Sequence, residues 1–365
     1  MIFSLVVFAF IFLIGLVIGS FMNVVILRTV SEESIVFPAS KCPKCQTPLK
    51  WYHNIPLLSY LCLGGKCAFC KEHISWQYPF VELLTGLIFV GLFIRYCNPI
   101  DPIFGLSVMN PIGWGQVIMY IFALIVSCLF IAIAGTDILE KKVSDAHTYS
   151  LIGVGIVYSI VMAAINFVFY TKANGMPTLN LEFFLTCPVL YSVAAAILGF
   201  LIMEAISRLG LVLVGTRAFG EGDSYIAAGL GAVFGAYLGA SPLYTNFLPI
   251  FNSLVAILVL SGIIQIIFTL PIFIKKLIIN KNWLTLGALV IFTIYTIGYI
   301  FAQHSGWFNH PVAYWSSTIV LVLLGLLTCR ELICGLKEHH SEGLYLPFGP
   351  AMIIAGFIAL MTLAI

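Results

Sequence analysis

The sequence predicts an all-α fold: a polytopic integral membrane helical bundle of about ten transmembrane helices, with a small cytosolic zinc-binding loop domain. Three observations predict it. The 365 residues are 61% hydrophobic and only 9% charged, with a mean hydropathy of +1.08. So little polar surface does not cover a soluble domain of this length. Apolar runs of roughly 20 residues, the length that crosses a bilayer as a helix, recur near 2–27, 79–96, 115–134, 149–170, 185–208, 224–241, 249–274, 283–303, 313–334 and 348–365. Basic residues are also segregated. With the N-terminus outside, fifteen of the 17 Lys and Arg residues fall in inner loops, and only Arg95 and Lys172 fall outside. Cytoplasmic loops carry this excess, and one misplaced span would swap every side downstream and erase the bias. A net charge of +2 without a basic tract excludes a nucleic-acid partner, since nothing grips phosphates.

Residues 1–27 form the first transmembrane helix. The run lacks a basic leader region and a small-residue cleavage pattern before Arg28, so it reads as a retained helix rather than a signal peptide.

Residues 28–78 are the one sizeable polar segment. Cys42, Cys45, Cys67 and Cys70 form two CxxC pairs separated by 21 residues. Four thiolates at this spacing suit a tetrahedral structural zinc site, and zinc would fold a segment too small to bury its own core. Two disulfides are the alternative, and the reducing cytosol disfavours them. Cys62 lies in an apolar run and reads as a packing residue.

Residues 79–274 are the candidate catalytic core. Asp137 continues the apolar run Ile131–Ala134 across only Gly135 and Thr136, and an acid at membrane depth is a functional candidate. Glu140, Lys141 and Lys142 read as a solvated turn. In "GEGD", Gly220 and Gly222 bracket Glu221 and precede Asp223, at the mouth of a run rich in glycine and alanine. Small residues permit close helix approach, so this helix is expected inside the bundle with Asp223 facing protein. Asp223 as a simple helix N-cap is the rival reading. Asp137 and Asp223 both fall at inner helix ends, where they can form a dyad. One carboxyl then keeps its proton and polarises a scissile carbonyl while the charged one takes a proton from water. Glu82, an acid inside the second span, is either a contact for a cationic amine or sulfonium or a structurally paired group. Residues 275–340 read as an insertion with two extra spans, and residues 341–365 carry "LPFGP" and the last helix.

The ordered set "GSFMNVVILR", "FPASKCPKCQ", "NIPLLSYLCLGGKCAFC", "YPFVELLTG", "TDILEKKVSD", "GEGD" and "LPFGPAMIIAG" resembles the bifunctional type IV prepilin peptidases. The resemblance implies an inner-membrane aspartyl protease. It would cut the leader from type IV prepilins and type II secretion pseudopilins after a glycine, at the cytoplasmic face. It would then methylate the new N-terminal amine with S-adenosylmethionine. It maps the catalytic aspartates onto Asp137 and Asp223, and the zinc ligands (Zn2+) onto Cys42, Cys45, Cys67 and Cys70. The chain departs from the family pattern at Ser144, where the family often has proline, at Tyr225, where lysine is common, and at Gln77, where a basic residue is common. Two other readings compete. A presenilin-type GxGD protease without methyltransferase activity would lack the four-cysteine segment. A metal or ion transporter would place its acids at the midplane between inverted repeats, and neither feature is present in the sequence.

Overall fold

Helix α1 (Ile2–Val30) packs along α3 (Gln77–Cys97), and glycine sets their separation. A Cβ at Gly15 would lie 2.7 Å from Gly86 Cα, and one at Gly19 would lie 2.7 Å from Glu82 Cα. Only glycine admits this approach of two backbones. The computed structural model describes residues 2–97, 114–141, 143–174, 187–214, 217, 219–240, 247–279, 281–304, 316–325, 327–328 and 348–362. Between α1 and α3 lies the cysteine segment, with a 3-10 turn (Trp51–Asn54) and the short helix α2 (Leu58–Cys62).

The remaining described helices are α4 (Trp114–Glu140), α5 (Asp145–Asn174), α6 (Pro188–Val214), α7 (Glu221–Gly239), α8 (Leu248–Ile279), α9 (Trp283–His304), α10 (Ser316–Gly325) and α11 (Gly349–Thr362). Six of them, α1, α3, α4, α5, α6 and α8, are long and apolar enough to cross a membrane, and α9, α10 and α11 supply shorter apolar stretches. The chain is an integral membrane protein with an all-helical fold. It divides into two compact units. One comprises Met1–Met203, Glu221–Gly262 and Pro347–Ile365, and the other Glu204–Gly220 and Ile263–Leu346.

Helix α7 is not among the six. Its glycines and its two first-turn acids dilute its apolar character, and it has little need of a lipid-facing side. Every residue from Ile226 to Gly239 is buried. Small residues make that burial possible, as the sequence leads one to expect. A Cβ at Gly155 of α5 would lie 2.7 Å from the Ala232 carbonyl carbon, and one at Gly235 would lie 2.6 Å from the Tyr191 oxygen. Cβ atoms at Gly199 and Gly231 would run into the Ala227 and Ala195 carbonyl oxygens. Across the same contact the Ser192 hydroxyl donates to the Ala232 carbonyl at 2.9 Å.

The turn between α4 and α5 is tighter than the expected loop over 134–150. The Thr136 hydroxyl donates back to the Ala132 and Ile133 carbonyls at 3.0 and 3.1 Å, so its polar group is satisfied within the helix. Helix α4 therefore runs through Asp137 to Glu140. Lys141, at φ 57°, ends it, its amide donating to the Asp137 carbonyl at 2.8 Å.

Candidate active site and metal centre

The four cysteines sit in two copies of one local structure. In the first, the Cys42 amide donates to the Thr47 carbonyl, Gln46 to Cys42, and Leu49 to Ser40. In the second, shifted by 25 residues, Cys67 donates to Glu72, Lys71 to Cys67, and Ile74 to Gly65. Gln46 and Lys71 hold the same left-handed backbone, at φ 57° and 60°, and the bridges Lys41–Pro48 and Lys66–His73 close the two copies alike. Each knuckle turns its thiols towards the other. All four Sγ atoms lie within 4.8 Å of one another, and Cys42 and Cys70 are 3.9 Å apart. A tetrahedron with zinc–sulfur bonds of about 2.3 Å has edges of about 3.8 Å, so the cluster fits zinc.

Electrostatics agree with that fit. Hydrogen bonds from the Thr47 hydroxyl and amide lower the Cys45 thiol to about 6. The Cys70 and Phe69 amides lower Cys67. The Glu72 amide also pulls Cys70 down, but burial and three neighbouring thiols push it up to about 11. Anionic sulfurs this close repel until a cation joins them. His53 accepts from the Lys50 amide at 3.4 Å and stacks edge-on with Phe69, so it helps shape the segment. Cys62, expected to pack inside, is exposed on α2.

Arg28 and Glu82 fasten this segment to the helices, and Asn23 ties α1 to α3 at its base. Arg28 donates to the Ser34 and Ile35 carbonyls at 2.7 and 3.1 Å and to the Pro38 carbonyl, which organises the chain entering the first knuckle. Asn23, buried at the α1–α3 seam, donates to the Tyr78 carbonyl at 3.1 Å. Glu82, also buried, accepts from the Leu57 amide at 2.8 Å. Glu82 thus ties the cysteine segment to the first turns of α3.

Three distant stretches meet around Asp137. Its side chain is 2% exposed. The Gly349 backbone, at the start of α11, lies so close that a Cβ there would strike Asp137 Oδ2 and come within 3.1 Å of Ile226 Cδ1 on α7. Oδ2 itself makes no hydrogen bond among the described residues. Helix α7 begins at Glu221, which places Asp223 in its first turn rather than at its cap. Asp223 is 3% exposed. Gly222 rests on the α4–α5 turn, where a Cβ would lie 2.7 Å from Val143 Cβ. The segments containing Asp137, Asp223 and Gly349 thus converge at one end of the same unit, and both acids are buried there. Tyr225 points elsewhere, between Tyr149 and Phe200, with ring centroids 5.4 Å from each. Glu221 is exposed.

Sequence reasoning passed over Gly349 as a site residue, although "LPFGP" signalled it. It also passed over His147, buried in the first turn of α5 with Nδ1 unpartnered among the described residues.

Fold and site together define a polytopic membrane protein with a four-cysteine cluster that fits a metal and two buried aspartates at one bundle end. Residues 13–96 match the family described as Bacterial Peptidase A24 N-terminal domain. The chain is 31% identical over 223 residues to the prepilin leader peptidase/N-methyltransferase of Myxococcus xanthus, covering 61% of this chain and 55% of that protein. It is 28% identical over 254 residues to the Neisseria gonorrhoeae protein of the same name, covering 63% and 73%. It is 30% identical over 233 residues to that of Klebsiella pneumoniae, covering 62% and 85%. The match thus spans about half the length of the Myxococcus relative and most of the other two. No solved structure matches the chain. The chain belongs to the prepilin leader peptidase/N-methyltransferase family.

Proposed function

We propose that the protein is a membrane aspartyl protease. It cleaves the leader of type IV prepilins or type II secretion pseudopilins after a glycine, at the cytoplasmic face of the bacterial inner membrane. Asp137 and Asp223 are the catalytic pair. The observation that carries this is the burial of both carboxyls where α4, α7 and the start of α11 converge. A carboxylate in a site of low dielectric is a stronger base than in water, and a second carboxyl that keeps its proton is a hydrogen-bond donor. The charged acid takes a proton from the attacking water, the protonated one donates to the scissile carbonyl oxygen, and proton return to the leaving amine completes hydrolysis. The missing side chain at Gly222 lets the first turn of α7 seat against Val143, which holds Asp223 beside the α4–α5 turn.

The scissile bond suits this place. A prepilin joins a basic leader to an apolar helix, so its junction lies at the membrane surface, where the dyad sits. The new N-terminal amine is then methylated, S-adenosylmethionine being the methyl donor. The four cysteines hold one structural zinc, which keeps the segment between α1 and α3 folded. The family names of the relatives support the peptidase and methyltransferase activities. The test is to incubate the purified enzyme with a synthetic prepilin and a labelled methyl donor. Leader release with label on the new N-terminus is expected, and an intact prepilin would overturn the assignment.

A further inference from the structure

The segment between α1 and α3 has been treated as a cytosolic loop, but its attachment to the bundle places part of it lower. The Glu82 carboxylate, five residues into α3, accepts from the Leu57 amide at 2.8 Å. Helix α3 has 21 residues and is about 31 Å long at about 1.5 Å per residue, close to the roughly 30 Å of a bilayer's hydrocarbon core. A glutamate on a helix leans towards the helix N-terminus, so the Leu57 amide lies at the level of the first two turns of α3. That level is the membrane boundary. Asn23 meets Tyr78 at the same level. Helix α1 continues seven residues further to Val30, about 10 Å of rise, and Arg28 stands on that overhang.

The limb held at this level, residues 51–62, has its apolar side turned outward. Trp51 is 79% exposed, Leu58 59% and Leu61 72%, and Cys62 is exposed beside them. Leu58, Leu61 and Cys62 follow the i, i+3, i+4 spacing of one helix face, the face that ordinarily turns inward. Trp76, at the foot of α3, is 77% exposed. Exposed lysines flank this surface at 50, 66 and 71, and Lys50 lies 5.8 Å over the Tyr52 ring. Tryptophan beside aliphatic residues, with lysine at the margin, is the composition that settles at a lipid–water boundary. On α1, Phe21 and Val17 are exposed as well.

We infer that residues 51–62, with Trp76, lie in the bilayer interface as a monotopic element. Trp51, Leu58 and Leu61 contact acyl chains near the glycerol level, and Lys50, Lys66 and Lys71 reach lipid phosphates. The metal knuckles then hang directly over the membrane surface, anchored through α2 on one side and through Glu82 on the other.

Trp51 reports the contact. The full-length, zinc-loaded protein is reconstituted into nanodiscs of mixed neutral and anionic phospholipid, with bromine on the acyl chains near the glycerol or without bromine. The emission of Trp51 is the difference between the wild type and Trp51→Phe. Bromine quenches this difference signal at least twofold while aqueous iodide leaves it nearly unchanged. A Trp51 signal quenched by iodide and untouched by bromine would overturn the inference, with the limb in water. Protection from both quenchers would also overturn it, with a protein chain, a second copy or a substrate, covering the face. A second variant, Leu58→Glu with Leu61→Glu, keeps its zinc and loses at least half of the bromine quenching. Undiminished quenching in that variant would remove α2 from the contact and overturn the assignment.

Discussion

Replacing Gly349 by alanine probes the convergence of α4, α7 and α11 with a single methyl group. The new Cβ would strike Asp137 Oδ2, and Asp137 Cγ would lie only 3.2 Å away, with Ile226 Cδ1 at 3.1 Å. Non-bonded heavy atoms settle at about 3.5–4.0 Å, so the carboxyl oxygen must retreat by about 1 Å or α11 must move. Ile226 can turn a methyl aside, but Asp137 is fully enclosed and cannot rotate freely. A displacement of about 1 Å at a reacting group costs about 10²-fold in rate, equivalent to about 2.7 kcal/mol of barrier. Gly349→Ala is therefore expected to lower kcat for prepilin cleavage about 100-fold, with zinc content and melting temperature close to wild type. Initial rates on a synthetic prepilin in nanodiscs, beside a thermal melt, provide the check. Cleavage within threefold of wild type would refute the placement of Asp137 in the reaction.

Other perturbations address other joints of the molecule. Glu82→Ala leaves the half-buried Leu57 amide without its acceptor, at a cost of about 1 kcal/mol. Limited proteolysis between residues 51 and 62 is expected to accelerate in Glu82→Ala and far less in Glu82→Gln, which keeps an acceptor oxygen. Equal acceleration in both variants would count against the hydrogen bond as the fastener. Metal analysis of the purified protein is expected to find one zinc per chain, and Cys42→Ser or Cys67→Ser to lose it. Full zinc retention in either variant would remove that sulfur from the ligand set. Strong chelation is expected to loosen the cysteine segment, seen as faster proteolysis there, and to spare cleavage, since the aspartates lie outside it. Gly231→Leu drives a side chain into the Ala195 backbone, and overpacking of this kind destabilises by about 1–3 kcal/mol or more. A lower melting temperature is the readout, and an unchanged one would contradict the packing of α7 on α6.

Much of this was legible in the chain because it is local. Cysteine spacing announced the convergence of the four thiols, since a knuckle is built within eight residues. An acid abutting an apolar run marked Asp137, and glycine and alanine at close spacing marked the burial of α7. The matching of knuckles 42–49 and 67–74 at a 25-residue offset shows in their backbone bonds, because the unlike residues between their cysteines mask the repeat in the sequence. Other features depend on contacts between distant segments. The approach of Gly349 to Asp137 joins positions on α11 and α4 far apart in the chain, and no periodicity in either helix encodes it. The Glu82–Leu57 bond joins α3 to the cysteine segment, and no periodicity in either stretch encodes it. The start of α7 at Glu221 speaks against the rival N-cap reading of Asp223, since the acid falls in the first turn. Cys62 was misread because an apolar neighbourhood usually means a protein core, whereas here that face points outward.

The central claim is that Asp137 and Asp223 act together in cleavage. The most direct test gives Asp137→Asn and Asp223→Asn, each inserted and melting like wild type, two substrates with a labelled methyl donor. One is an intact prepilin and the other the same peptide already trimmed of its leader. Both variants are predicted to leave the prepilin uncut and still to methylate the trimmed peptide. Cleavage of the prepilin by either variant at a rate near wild type would contradict the account.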